Sequence, residues 1–266
     1  MMKLKDKIAI VTGGTGGIGQ GIAFKLAQHG AQIVLNGRDP AKAARVIAEI
    51  EAQGGRAVFI AGDVRSKLDM DQLAAKTAAL FGGIDIVIAN AGGNDDEARS
   101  PDVRGPFADI DLARVSAFIA QAVSAKLLIV QSALPYMRKR GGGNVVFITS
   151  EGGRVPTPTQ TAICTFSGGL IMASKLLSKE LAKDQIRVNC VCVTVVKDTP
   201  SWNAAFGPHA STSERHRKQY EKIVAQSPFG VATPEDIGNL VTFLASEEAH
   251  YLTGATLSPT GGLTLH

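Results

Sequence analysis

Two hydrophobic patterns alternate along most of the chain. Short stretches in which nearly every residue is apolar, such as residues 8–11 and 84–89, are typical of buried strands. Between them, apolar residues recur every three or four positions, as Ile18, Ile22 and Leu26 do, which predicts helices. Strands that alternate with helices predict a parallel sheet with right-handed crossovers, and continuously apolar strands indicate helices on both faces of that sheet. We therefore expect an α/β protein with a doubly wound parallel sheet.

Residues that interrupt these patterns mark where the helices and strands begin and end. Thr233 before Pro234 predicts the cap of the last helix. We expect residues 92–107 to form a polar loop beyond the fourth strand and residues 199–233 to form a mobile segment on the substrate side. The predicted strands are residues 7–12, 32–36, 57–60, 84–89, 144–149, 186–196 and 256–258, and the predicted helices are residues 18–30, 40–53, 67–80, 112–140, 161–183 and 234–245.

Composition narrows the class of protein. The chain has 266 residues, 45% of them hydrophobic and 20% charged, which is typical of one ordinary globular domain spanning residues 1–266 and excludes a disordered or disulfide-stapled chain. No unbroken apolar stretch approaches the roughly 20 residues of a membrane helix, and no secretory signal pattern is visible, so we expect a cytoplasmic protein with no membrane partner. The net charge of +4 is spread along the chain, so we expect no nucleic-acid partner. Cys164, Cys190 and Cys192 lack metal-ligand spacing, so we expect no metal.

A glycine-rich turn carries the first chemical signal. Residues 13–19 read GGTGGIG and lie between the first predicted strand and the first predicted helix. In that context glycines let a dinucleotide pyrophosphate approach the backbone amides at the helix N-terminus. The second predicted strand ends at Asn36, where sites for NAD usually place a carboxylate, and Arg38 follows. Because arginine pairs well with a phosphate, we expect NADP(H) to be preferred over NAD(H).

These motifs resemble those of the short-chain dehydrogenase/reductase (SDR) family. Beside the glycine turn, the chain has Asp63-Val64, Asn90-Ala91-Gly92 and a closing pair of glycines in family order. The resemblance implies a Rossmann-type sheet of about seven strands, a small-molecule substrate, and a homodimer or homotetramer formed through helices 112–140 and 161–183. Together, the turn and the resemblance predict these cofactor-binding residues: Gly13, Thr15, Gly17, Ile18, Gly19, Asn36, Arg38, Asp63, Val64, Asn90, Ala91 and Gly92.

The catalytic pattern of the family is incomplete in this chain. Family members use a tyrosine, a lysine four residues later, a serine and an asparagine. Ser150 stands at the serine position, but the tyrosine, lysine and asparagine positions are Ile163, Ser167 and Ala122. No tyrosine in the sequence is followed four residues later by lysine. The resemblance therefore implies a divergent member without the Tyr-x-x-x-Lys pair.

Two hypotheses follow for the function. The chain is an NADP(H)-binding SDR protein with a degenerate catalytic site, in which hydride transfer is lost and productive cofactor binding is itself open. Alternatively, it is a non-standard SDR enzyme, redox or non-redox, that uses Ser150 with other groups such as Glu151. Further candidates for such groups are Cys164, Lys197, Asp198, His209 and His216.

Overall fold

The computed structural model describes residues 2–92 and 95–265 and contains one seven-stranded parallel sheet. The strand order is β3-β2-β1-β4-β5-β6-β7, so the chain winds outward from β1 in both directions. This confirms the doubly wound sheet, and it opens a crevice at the carboxyl ends of β1 and β4, where the winding reverses. The strands are β1 Ile8–Thr12, β2 Gln32–Gly37, β3 Arg56–Ala61, β4 Ile86–Ala89, β5 Gly143–Ser150, β6 Ile186–Val193 and β7 Thr256–Leu257.

Helices cover both faces of the sheet and bury two hydrophobic clusters. Helices α3, α5 and α6 pack on one face, and α1, α2 and α9 pack on the other. The continuous apolar strands fit this arrangement, since β1 and β4 are buried at every position. The helices are α1 Gly17–Gln28, α2 Pro40–Ala52, α3 Lys67–Phe81, α4 Asp95–Arg99, α5 Leu112–Lys139, α6 Thr161–Glu180, α7 Pro200–Phe206, α8 Glu214–Ala225 and α9 Pro234–Ala245.

Close contact between α1 and α9 fixes the position of the glycine turn. A Cβ added at Gly21 would lie 2.5 Å from the backbone of Pro234, and one added at Gly238 would lie 2.7 Å from the Gly21 carbonyl oxygen. The two backbones can approach this closely because both positions lack a side chain. Thr233 caps α9 as predicted, in a reciprocal arrangement with Asp236.

Beyond small shifts at element ends, such as β4 beginning at Ile86 and α6 ending at Glu180, the structure differs from the predicted elements in three places. Strand β6 ends at Val193 rather than at residue 196. The predicted loop 92–107 contains the short helix α4, and its residues 93 and 94 lie outside the described residues. The predicted segment 199–233 contains α7 and α8, and its mobility stays a prediction. Helix α8 is mostly polar and buries only His216 fully; its apolar residues form a narrow stripe of His216, Tyr220, Ile223 and Val224, which is a weak signal for a helix.

Helices α5 and α6 are long and apolar enough, by length and composition, to cross a membrane. Polar residues interrupt both helices, so neither contains an unbroken apolar stretch of that length. Both helices pack against the sheet, where Ala122 and Ile129 of α5 and Leu170 of α6 are fully buried. Core helices of soluble proteins satisfy the same test, so the finding is weak evidence for a membrane span.

Candidate functional site

The crevice at the carboxyl ends of β1, β2 and β4 is a cavity of about 940 Å³, which we call the first cavity. Eleven of the twelve predicted cofactor-binding residues line it, and only Gly19 does not. The eleven are Gly13, Thr15, Gly17, Ile18, Asn36, Arg38, Asp63, Val64, Asn90, Ala91 and Gly92. Residues far apart in the sequence therefore meet in one concave surface, as the strand-end argument requires.

Gly19 has a packing role instead of a place in the wall. A Cβ at this position would lie 2.2 Å from the carbonyl oxygen of Gly13. Gly13 itself has φ +65°, a left-handed conformation that glycine adopts without strain. The two glycines let α1 begin directly beneath the turn, so that the helix N-terminus faces the first cavity.

Thr12 joins the ends of β1 and β4 at the floor of the cavity. Its hydroxyl donates to the Ile88 carbonyl and accepts the backbone N–H groups of Asn90 and Ala91. The Asn90 side chain in turn donates a hydrogen bond of 3.0 Å from Nδ2 to the Thr12 carbonyl. This network holds the segment Asn90-Ala91-Gly92 at the cavity wall.

The end of β2 presents a cation rather than a carboxylate. Asn36 is fully buried, and its Nδ2 donates to the backbone carbonyls of Ile60 and Gly62, so the side chain ties β2 to β3. Arg38 is exposed at the rim, and no carboxylate among the described residues lies within ion-pair distance of it. Asp39 accepts the backbone N–H groups of Ala41 and Lys42 and so caps α2.

Asp63 lies at the same end of the first cavity, and its carboxylate is ionised. Its carboxylate accepts from the Arg65 side chain and from the Arg65 backbone N–H. The Arg65 guanidinium lowers the pKa of Asp63 to about 2. The Asp63 backbone N–H in turn donates to Asp69, 2.8 Å away. These contacts therefore hold the Asp63 side chain in place and keep its carboxylate ionised.

A second cavity of about 750 Å³ adjoins the first. The two share walls that include Ile18, Asn90, Gly92 and Tyr220, so molecules bound in them would touch. Ser150 and Ile163 line the second cavity, and Phe166 adds apolar surface. Its position next to the glycine turn and Ser150 makes it the candidate substrate cavity.

Of the positions at which the family places its catalytic groups, two hold hydroxyls, Ser150 and the buried Ser167, and the other two hold apolar side chains. Ser150 Oγ accepts the Gly152 backbone N–H at 3.1 Å, which starts a short 3₁₀ turn. Ile163 presents an aliphatic side chain to the second cavity. Ser167 is fully buried and its Oγ lies 3.0 Å from Thr149 Oγ1, while Ala122 is packed in the core.

Glu151 anchors the C-terminal segment. It is only 4% exposed, and its carboxylate accepts hydrogen bonds from the hydroxyls of Ser258 and Thr264. Arg154 adds bonds to the same segment, to the Thr256 carbonyl and to Ser258 Oγ. Glu151 nevertheless reaches the lining of the second cavity, beside Thr264.

Sequence reasoning missed the cations of the second cavity. Lys126, four residues after Ala122, is 3% exposed and its Nζ donates to the Asn90 carbonyl oxygen at 2.5 Å. A lysine on the inner face of an apolar helix was the available signal, because cations are rarely buried without a reason. Arg99 and Arg104 line the same cavity from the predicted loop 92–107, and His216, one of the predicted candidate groups, lines it from α8.

The chain is similar in sequence to several characterised proteins. A family model described as enoyl-(acyl carrier protein) reductase matches residues 13–264. Dehydrogenase/reductase SDR family member 4 of Sus scrofa is 32% identical over 259 residues, which cover 97% of this chain and 88% of that protein. The 7alpha-hydroxysteroid dehydrogenase of Clostridium sardiniense is 30% identical over 266 residues, covering 100% and 96%.

Solved structures agree with these similarities. A 7 alpha-hydroxysteroid dehydrogenase complexed with NADH and 7-oxo glycochenodeoxycholic acid superposes with a TM-score of 0.85 at 27% identity, covering 98% of this chain and 95% of that one. A dehydrogenase/reductase from Sinorhizobium meliloti 1021 gives a TM-score of 0.83 at 31% identity, covering 99% and 97%. The sheet and crevice of this chain, together with these similarities, show that it belongs to the short-chain dehydrogenase/reductase family.

Proposed function

We propose that the chain binds a nicotinamide dinucleotide in the first cavity, prefers NADP(H) to NAD(H), and lacks the family's tyrosine–lysine proton transfer. The observation that carries the preference is the charge at the end of β2. Arg38 is exposed there without a carboxylate partner among the described residues, while Asp39 is occupied as a helix cap. A ribose 2′-phosphate would give Arg38 a bidentate partner, and Lys42 on the same wall would add a second cation.

The remaining wall residues account for the rest of the dinucleotide. The amides at the start of α1 and the turn around Gly13 would hold the pyrophosphate, since a helix N-terminus favours anions. Asp63, Val64 and Asn90 line the adenine side and the floor. When bound, the nicotinamide supplies or accepts a hydride.

The chain's own residues do not supply the usual proton at that point. Ile163 has no exchangeable proton, and the buried Ser167 hydroxyl carries no positive charge that would lower the pKa of a neighbouring group. General acid and base catalysis contributes about 10² to 10⁴ in rate, so its loss would leave at best a slow reductase. A role in ligand binding or sensing fits these residues better.

A variant at Arg38 tests the cofactor preference. Removing one charge-assisted phosphate contact costs about 1.5–3 kcal/mol, so Arg38→Gln should weaken NADPH binding about tenfold or more and leave NADH binding nearly unchanged. Arg45→Gln, at an exposed position on α2, is the matched control and should bind both nucleotides as the unmodified protein does. Equal weakening of NADPH and NADH in Arg38→Gln would contradict the assigned role.

The second candidate function is a non-standard enzyme built around Ser150. The observation that favours it is that Tyr220, the one tyrosine lining either cavity among the described residues, forms part of both walls and is a second source of a hydroxyl proton. Glu151 stays a weaker candidate, because Ser258 and Thr264 already engage its carboxylate. Nucleotide oxidation with a panel of carbonyl compounds tests this function. Activity that Ser150→Ala or Tyr220→Phe abolishes, with nucleotide binding intact, would replace the binding-protein proposal.

We also propose a homodimer or homotetramer formed through α5 and α6. Met172 and Leu176 are 65% and 61% exposed on the outer face of α6, and burial in an interface would remove that apolar surface from water. Light scattering of the purified protein should give a dimer or larger mass, and Met172→Glu should shift it toward the monomer. A monomeric mass for the unmodified protein would refute this proposal.

A further inference from the structure

The second cavity has an excess of positive charge. Four cations line it, namely Arg99, Arg104, Lys126 and Lys222, against the single carboxylate of Glu151. The Glu151 carboxylate already accepts hydrogen bonds from Ser258 and Thr264. The two arginines come from the segment between β4 and α5, and binding residues often lie in such connecting segments.

Arg104 is a partly buried cation without a counter-ion among the described residues. Its Nη2 lies 3.3 Å from Gln219 Oε1, and its guanidinium adjoins the Tyr220 phenol. Burial lowers the pKa of Arg104 below its usual value, but an arginine keeps its proton at physiological pH. Among the described residues no carboxylate lies within ion-pair distance of it, since the nearby Glu97 and Asp102 both pair with Arg114. Partly burying a charge without a counter-ion costs free energy, and a bound anion would offset that cost.

Arg99 and His216, which both line the second cavity, each have a buried nitrogen without a hydrogen-bond partner among the described residues. Arg99 pairs with Asp96 through Nη2, but its Nη1 is buried and has no hydrogen-bond partner in the described part of the chain. His216 is 5% exposed, its Nδ1 is paired with the Thr212 hydroxyl, and its buried Nε2 likewise lacks a partner. Both residues line the second cavity, so these atoms can be satisfied by a molecule bound there.

We propose that the second cavity binds a small organic molecule through an oxyanion, a carboxylate or a phosphate, held by Arg104 and Arg99 with His216 Nε2 as a further contact. A guanidinium matches the planar fork of a carboxylate or the edge of a phosphate. Apolar surface for the body of the ligand comes from Ile148, Ile163 and Phe166, which also line the cavity. The inference deepens the proposed function, and rests on it in treating this cavity as the substrate site.

Matched aromatic ligands test the proposal by binding rather than by turnover. Isothermal titration of the full-length, nucleotide-free protein with benzoate, phenyl phosphate and benzamide compares two anions with a neutral molecule of the same shape. At least one anion should bind about tenfold or more tightly than benzamide, as expected for a charge-assisted bidentate contact. The choice between benzoate and phenyl phosphate identifies which oxyanion the site takes.

Two variants locate the contact. Arg104→Gln should weaken binding of the preferred anion about tenfold or more and leave benzamide unchanged. Arg215→Gln is the control, because Arg215 is exposed on α8 next to His216 and does not line the cavity. Circular dichroism checks the folding of Arg104→Gln; if it does not fold, the comparison of ligands on the unmodified protein still decides.

Equal binding of anions and benzamide, failure of both anions to bind, or unchanged anion binding in a folded Arg104→Gln would each overturn the proposal. A separate NADPH titration keeps it distinct from the cofactor proposal. Anion binding without NADPH binding refutes only the cofactor site, and NADPH binding without anion binding refutes only the oxyanion site.

Discussion

Acid should destabilise this protein through His216. The imidazole is 5% exposed, its edge packs on the Tyr220 ring, and Nδ1 is held by Thr212. Burial, together with the positive charges of Arg104 and Arg99, lowers the pKa of His216 to about 3. The unfolded chain restores a pKa of about 6.5. The unfolded state therefore takes up the proton first, and the free energy of unfolding falls as the pH drops below about 6.5.

The size of this effect follows from the two pKa values. Between pH 7.5 and pH 5 the protonation of the unfolded state costs the folded protein about 2 kcal/mol, since each pH unit below 6.5 contributes about 1.36 kcal/mol. At pH 5 the imidazole of the folded protein is still neutral, because its pKa is about 3. The size of the stability loss at this pH is therefore set by the pKa of His216 in the unfolded chain. Urea unfolding at the two pH values measures it.

Comparing variants isolates the contribution of His216. His216→Gln should lose about 2 kcal/mol less than the unmodified protein between pH 7.5 and pH 5, whatever its stability at neutral pH. His209→Gln, at an exposed position, is the control and should keep the full pH dependence. The reasoning is refuted if His216→Gln and the unmodified protein lose the same free energy over this interval.

Three substitutions test the packing that builds the site, each measured as a free energy of unfolding. Gly19→Ala should cost about 3 kcal/mol, because its Cβ would lie 2.2 Å from the Gly13 carbonyl oxygen. Gly169→Ala, with open space around it inside α6, should instead stabilise the protein by about 0.5–1 kcal/mol, because alanine is the better helix former; equal effects would contradict the turn geometry. Asp85→Ala should cost about 3 kcal/mol, because this buried carboxylate accepts from Ile8 N–H and Arg140, and a loss below about 1 kcal/mol would show that neither contact stabilises the fold. Ser167→Ala should cost about 1 kcal/mol and leave NADPH binding intact; loss of binding would give this hydroxyl a role in the site.

The fold could be predicted because its determinants are local. Apolar periodicity, Pro234 after Thr233 and the glycines of residues 13–19 each act within a few residues. The same holds for the first cavity, whose residues follow strand ends, and strand ends of a parallel sheet meet at one edge. The sequence could not show that the Asn36 amide turns to the β3 carbonyls, because that depends on a neighbouring strand.

The second cavity was less predictable because its chemistry is assembled from distant segments. Arg104 precedes α5, His216 lies on α8, and they meet only because α8 folds over the carboxyl ends of the strands. Helix α8 is mostly polar, and its narrow apolar stripe, which includes His216, Tyr220 and Ile223 of the cavity wall, is a weak signal in the sequence. Lys126 was hidden within an apolar helix, and its role depends on the Asn90 carbonyl, 36 positions away.

A direct titration of the unmodified protein with NADPH and with NADH, followed by calorimetry, tests the central claim most directly. We predict that NADPH binds and that NADH binds about tenfold or more weakly, because the proposed site places Arg38 against the 2′-phosphate that only NADPH carries. Tighter binding of NADH would contradict the role of Arg38. Binding of neither nucleotide would mean that the chain retains the scaffold of the family without its cofactor.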